Sequence, residues 1–143
     1  MSRYSVGSGA TALAARTVGT GFAAIRAGAS AITVYEIGIF NGTAVVSNVG
    51  IIRSATVGTA STSVVPVAEN TGTPLARLDT AWSSVPTVST NVYMRQIAIP
   101  ATIGNGYTFV FPDGIAVAAS ASLLIWNFLG TSATTFLHVV FDE

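Results

Sequence analysis

The stretch from Thr33 to Ser54, TVYEIGIFNGTAVVSNVGIIRS, decides the fold class. Before Asn41-Gly42, Tyr35, Ile37 and Ile39 alternate with Val34, Glu36, Gly38 and Phe40. After it, Val45, Val49 and Ile51 alternate with Val46, Asn48, Gly50 and Ile52. A period of two with β-branched and aromatic residues marks half-buried strands. Asn-Gly is the dipeptide that best satisfies the positive φ values of a type I′ turn. The stretch therefore predicts two long strands paired as a tight hairpin.

Working outward, the C-terminal part repeats the pattern. Leu123 to Leu129 (LLIWNFL) and Thr134 to Phe141 (TTFLHVVF) flank Gly130-Thr131-Ser132 and predict a second hairpin. Val92 to Ile99 (VYMRQIAI) reads as a strand ended by Pro100, and Tyr107 to Phe111 (YTFVF) as one stopped by Pro112-Asp113-Gly114. Gly21 to Ala27 is a short strand, and Ser63 to Ala68 carries Pro66, which confines it to an edge or a strand end. Ala55 to Thr62 is either a loop or a polar edge strand, and Ser83 to Thr90 is a Pro-bearing connection. Met1 to Gly9 is Ser- and Gly-rich and reads as an extended arm, with Thr11 to Thr17 as a first strand. About seven residues there are too few for an isolated helix.

Turn signals recur roughly every eight to twelve residues and no amphipathic helix is present. The expectation is an all-β, single-domain antiparallel β-sandwich or jelly roll of about eight to ten strands. Residues 1–17 form an arm or first strand, and 18–143 the sandwich.

Charge is the unusual feature of the composition. The 143 residues are 8% charged, against about 25% in ordinary domains. There is no lysine, six arginines balance six carboxylates, and net charge is zero. Net charge is a main defence of a soluble monomer, so this surface offers little resistance to self-association. It also lacks the basic stripe that a nucleic-acid partner requires. Without cysteine, thiol catalysis and Cys-based metal sites are excluded. The segment 4–15, YSVGSGATALAA, is too broken by Ser and Gly for a secretory h-region. Gly114 to Val140 carries no formal charge, but its polar interruptions leave no apolar run of roughly 18 residues, so no membrane span is expected.

Chemistry-bearing residues are sparse. His138 is the single histidine, and Asp142, four positions on, lies about 13 Å away along a strand, beyond hydrogen-bonding reach. No G-x-S-x-G elbow and no calcium loop occur, and the carboxylates are dispersed. No catalytic residue, metal or cofactor is expected. Asn41-Gly42-Thr43 is formally a glycosylation sequon, fully explained by turn chemistry. Glu36 stands among apolar residues and is either a rim glutamate or paired with Arg53 or Arg95. Trp82, in LARLDTAW with Arg77, is either an interface anchor, since Trp and Arg dominate hot spots, or a loop residue capping the sandwich. Trp126, on an apolar strand, is expected in the core. The interface candidates are thus Glu36, Arg53, Arg77, Trp82 and Arg95.

The runs YEIGIFNGTA, LDTAW, IPATIGNGYTFVFPDGIAV and SLLIWN, with the terminal FDE, resemble a family of small tailed-phage virion proteins. Its members share an E-x-G-x-(F)-N motif, a T-F-P-x-G-I turn and a terminal W-D-E. This chain inserts Val110-Phe111 before Pro112, has Phe141 in place of the tryptophan of the terminal W-D-E, and lacks proline and glycine at Ala118-Ala119-Ser120. The resemblance implies a jelly-roll-like capsid decoration, or cement, protein. Such proteins stand as homotrimers on the outer capsid surface and bind the major capsid protein. The alternative is a tail or fibre module that stacks host glycan on Trp82, Tyr93 or Tyr107.

Overall fold

A computed structural model describes residues 1–10, 12–88 and 92–143. Eleven strands follow in order: β1 (Arg3–Gly7), β2 (Thr20–Arg26), β3 (Ile32–Asn41), β4 (Ser47–Arg53), β5 (Thr59–Val64), β6 (Val67–Ala68), β7 (Arg77–Ser84), β8 (Arg95–Ile99), β9 (Gly106–Val117), β10 (Ser122–Asn127) and β11 (Thr135–Asp142). They form two antiparallel sheets, ordered β6-β1-β11-β3-β9 and β5-β7-β2-β10-β4-β8. The pairings β1·β11, β2·β10, β3·β9 and β4·β8 make the topology legible. The chain is one long hairpin, β1 to β4 outward and β8 to β11 back, rolled so that successive pairs alternate between the sheets. This is a jelly roll. Strands β5 to β7 are an insertion at the hairpin's tip that extends both sheets at their edges, which raises the count to eleven.

The core lies between the sheets. Strand β11 alternates cleanly, with Leu137, Val139 and Phe141 inward, against Ile37 and Ile39 of β3. Strand β10 is buried on both faces: Leu123 and Ile125 join the main core. Leu124 and Trp126 lie on the sheet's other side, covered by Trp82, Val88 and Tyr93. Trp126 is buried as expected, but beneath this second layer rather than between the sheets. Gly50 of β4 makes the layer possible, because a Cβ there would meet Tyr93 Cδ1 at 2.4 Å.

Neither expected hairpin forms. β3 and β4 belong to different sheets, as do β10 and β11, so each expected hairpin is an arch from one sheet to the other. Gly42 does not take the positive φ that a type I′ turn demands. Instead Asn41, fully buried, donates from Nδ2 to the carbonyls of Val45 (3.0 Å) and Pro100 (2.9 Å) and locks the corner. Asn127 does the same in the second arch, donating to Gly130 O (2.8 Å) and Arg16 O (2.8 Å). The two arches stack, because β3 pairs with β11 and β4 with β10. Gly42 N–H donates to Thr134 O at 2.7 Å, and Asn48 Nδ2 to Leu129 O at 2.6 Å.

Four further expectations change. The N-terminal segment is not a free arm: β1 is inserted between β11 and β6, with Tyr4 and Val6 in the core. Within the expected strand 11–17, Leu13 makes only an isolated bridge to Thr135, and Thr11 lies outside the described residues. Residues 92–94 precede β8 rather than joining it, and Ser89 to Asn91 lie outside the described residues. Pro112-Asp113-Gly114 does not end β9. Register jumps from Glu36↔Val110 to Val34↔Ile115, so residues 111–114 bulge opposite Tyr35 and the strand resumes. An edge strand tolerates such a proline because its outward N–H has no ladder partner to lose.

Candidate assembly surface

The outer face of the β6-β1-β11-β3-β9 sheet carries the most distinctive arrangement of side chains. Register places three rows across it: Phe136–Phe40–Gly106, His138–Gly38–Thr108, and Val140–Glu36–Val110. Phe40 and Phe136 stack with centroids 5.1 Å apart and planes 16° from parallel. His138 Nε2 lies 2.7 Å from Glu36 Oε1, diagonally across β11 and β3. Gly38 allows this: a Cβ there would stand 2.0 Å from His138 Cε1, so only glycine leaves room for the ring to lie flat toward Glu36. Beside the pair opens a cleft of about 320 Å³ bounded by Gly38, Phe40, Gly106, Tyr107, Thr108 and His138. At the far end of the face Arg3 holds Asp142 at 2.8 Å and covers the Tyr35 ring at 4.9 Å.

Strand β9 borders this face and pairs on one side only, with β3. On this face Phe40 is 44% exposed and Val110 59%, whereas Tyr107, opposite the inward Ile39, turns to the other side of the sheet against Phe109. An unpaired edge beside exposed apolar residues is a template for further association. The bulge at Pro112-Asp113 blunts only the end of the edge distant from Tyr107.

The interface candidates read from sequence do not converge on one site. Glu36 pairs with His138 and not with Arg53 or Arg95. That pairing was hidden because the hairpin reading placed β4, rather than β11, beside β3. Arg53 Nη1 donates to Ala116 O at 2.7 Å, bracing one sheet against the other. Arg95 Nη1 donates to Met94 O, and its guanidinium covers Phe111 at 5.8 Å. That contact lies in a second cleft of about 290 Å³ with Asp113 at its rim. Arg77 Nη1 bonds the carbonyls of Pro74 and Ala76 and shapes the turn into β7. Trp82 is on β7 rather than in a loop. It is half-buried over Gly21 on the outer face of the opposite sheet, within the layer that also holds Tyr93. Trp82 and Tyr93 therefore share a surface, whereas Tyr107 lies on the other sheet.

His138 and Asp142 make no contact with each other, as their spacing requires; Asp142 serves Arg3. The hydroxyl in the histidine's row belongs to Thr108, across Gly38, and no serine borders the cleft. Among the described residues no group of three or more His, Asp or Glu side chains could hold a metal ion. The sequon asparagine Asn41 is buried with its amide committed to two carbonyls, so it serves the corner of the fold. Comparison with protein-family models, with curated proteins and with solved structures gives no match to this chain.

Proposed function

We propose that this chain is a non-catalytic structural protein of a tailed-phage virion. In this reading it is a capsid decoration, or cement, protein that self-associates, as a trimer, on the outer shell and binds the major capsid protein. The observation that carries the reading is the apolar strip Phe40, Phe136 and Val110 on the outer face beside the unpaired edge of β9. On a chain with six basic and six acidic residues, little charge repulsion opposes bringing such strips together. A jelly roll suits the role because its two sheets form a stiff block whose faces and edges are free to carry contacts. The sequence resemblance supplies the virion setting, and the physics of the surface supplies the tendency to associate.

The test is direct. The purified chain at micromolar concentration should sediment as an oligomer, three copies being the expected number, and should co-sediment with mature capsid shells. A chain that stays monomeric and leaves the shells uncoated contradicts the proposal.

A further inference from the structure

Asparagine precedes glycine twice in the chain, at Asn41-Gly42 and Asn105-Gly106, and the fold puts the two pairs in opposite surroundings. Asn41 is fully buried, its amide nitrogen donates to two carbonyls, and Gly42 N–H donates to Thr134 O at 2.7 Å. Asn105 lies in the run 101–108, every residue of which is exposed, and its side chain makes no hydrogen bond among the described residues.

Backbone geometry frees the neighbouring nitrogen as well. Asn41 N–H donates to Asn105 O at 2.8 Å, while Phe40 stands opposite Gly106 in the β3–β9 register. In an antiparallel ladder, a bond between the residues flanking an opposed pair marks that pair as the non-hydrogen-bonded kind. Gly106 N–H therefore points away from β3, out of the unpaired edge of β9. Glycine is required at this position, since a Cβ would stand 2.5 Å from Ile39 O. The fold thus keeps an unhindered amide nitrogen next to an exposed asparagine side chain.

A nitrogen so placed can close on the side-chain carbonyl carbon. Gly106 N bonds to Asn105 Cγ, the Cγ–Nδ2 bond breaks, and Nδ2 leaves as ammonia with the proton that Gly106 N gives up. Water then opens the cyclic imide at either carbonyl, leaving aspartate or isoaspartate. The net change is one amide exchanged for one carboxylate, with water as the only co-reactant. Closure requires the peptide after Asn105 to turn, which gives up the Asn41 N–H to Asn105 O bond at the end of the ladder; strand ends open at little cost. Gly104 and Gly106, on either side of Asn105, border the cleft beside Phe40 and His138. The new carboxylate falls at the margin of the apolar strip, on a chain whose net charge is otherwise zero.

We infer that Asn105 is a site of spontaneous covalent modification, ageing through a cyclic imide to an acidic residue while Asn41 stays intact. The reaction needs only the single chain, so it stands apart from the assembly proposed above. The full chain, incubated folded at mildly alkaline pH, then digested at acidic pH and mapped by mass spectrometry, should show the Asn105 peptide gaining the mass of amide-to-acid exchange. Two products, separable by chromatography, are expected. Asn41 reacts only through opened molecules, a fraction of about 10⁻³ or less, so its conversion should be slower by about a thousandfold or more. In urea beyond the unfolding transition both sites should convert at similar rates, which shows that the conditions suffice. Val110→Lys, incubated in parallel, keeps the β9 edge open where copies cover it in the unaltered chain. An Asn105 peptide unchanged in both folded chains, or Asn41 converting as fast as Asn105 in the folded state, overturns the inference.

Discussion

Removing Arg26 should destabilise the fold more than removing any other arginine, and the geometry sets the scale. Asp79 of β7 is 1% exposed, and its carboxylate accepts from Arg26 Nε (2.6 Å), Arg26 Nη2 (3.1 Å) and Ser63 Oγ (2.6 Å). The hydrogen bond to Asp79 raises the Arg26 pKa above its ordinary value, so the arginine stays charged throughout any accessible pH range. Arg26→Met keeps much of the side-chain length but leaves a buried carboxylate with one neutral donor. Breaking a buried pair from one side costs about 3–5 kcal/mol. The Arg26 side chain is 34% exposed, which screens the pair and places the expected loss near the lower bound, about 3 kcal/mol. For a domain of this size that lowers Tm by roughly 6–12 °C. The double variant Arg26→Met/Asp79→Leu removes both charges and should return to within about 1 kcal/mol of the unaltered protein. Urea unfolding at neutral pH and fixed protein concentration measures all three. A loss below about 1 kcal/mol for Arg26→Met alone would mean that Asp79 is hydrated, and would refute the reasoning.

Other substitutions probe the arches, the covering layer and one strained turn. Asn41→Ala leaves the Val45 and Pro100 carbonyls without their buried donor and should cost about 2–4 kcal/mol in urea unfolding; a neutral result would show that the corner does not depend on the amide. Gly50→Ala drives a Cβ to within 2.4 Å of Tyr93 and should loosen the layer over Trp126, read as a red shift of tryptophan emission with loss of stability. Ser120 has φ +59° in the turn between β9 and β10, so Ser120→Gly should stabilise by about 0.5–1 kcal/mol, as thermal unfolding would report. Gly38→Ala should push the His138 ring off Glu36, moving the histidine ring resonances while changing stability little, since both side chains are partly exposed.

The all-β class and the jelly roll were legible because alternation and turn spacing are local properties. Strand partners were not. Val34 to Phe40 and Asn48 to Ile52 each present one apolar face whichever sheet they enter, so periodicity cannot tell a hairpin from an arch. Asn41-Gly42 has the chemistry of a tight turn, but the Asn41 amide bonds across to Pro100, a partner 59 positions away that no local pattern reveals. The complete burial of β10 held a usable signal. An uninterrupted apolar run such as LLIW fits a central strand covered on both sides better than one arm of an exposed hairpin. Glu36 was recognised as anomalous from its apolar neighbours, but its partner followed the strand order and was lost with it. The Arg26–Asp79 pair was missed for a different reason: burial of a charged side chain leaves no mark on sequence periodicity. Trp82 stood out by residue type alone, and its place on β7 came from an edge insertion whose irregular register with β5 obscures alternation.

The measurement that bears most directly on the assembly proposal is sedimentation equilibrium of the unaltered chain beside Val110→Lys. Val110 is 59% exposed on the β9 edge, so lysine there leaves the core untouched and places a charge where copies would meet. The expected result is an oligomer for the unaltered chain and a monomer for the variant, with the same unfolding midpoint measured under monomeric conditions. An oligomer that survives Val110→Lys unchanged, or an unaltered chain that is already monomeric, would contradict the assignment of this face to assembly.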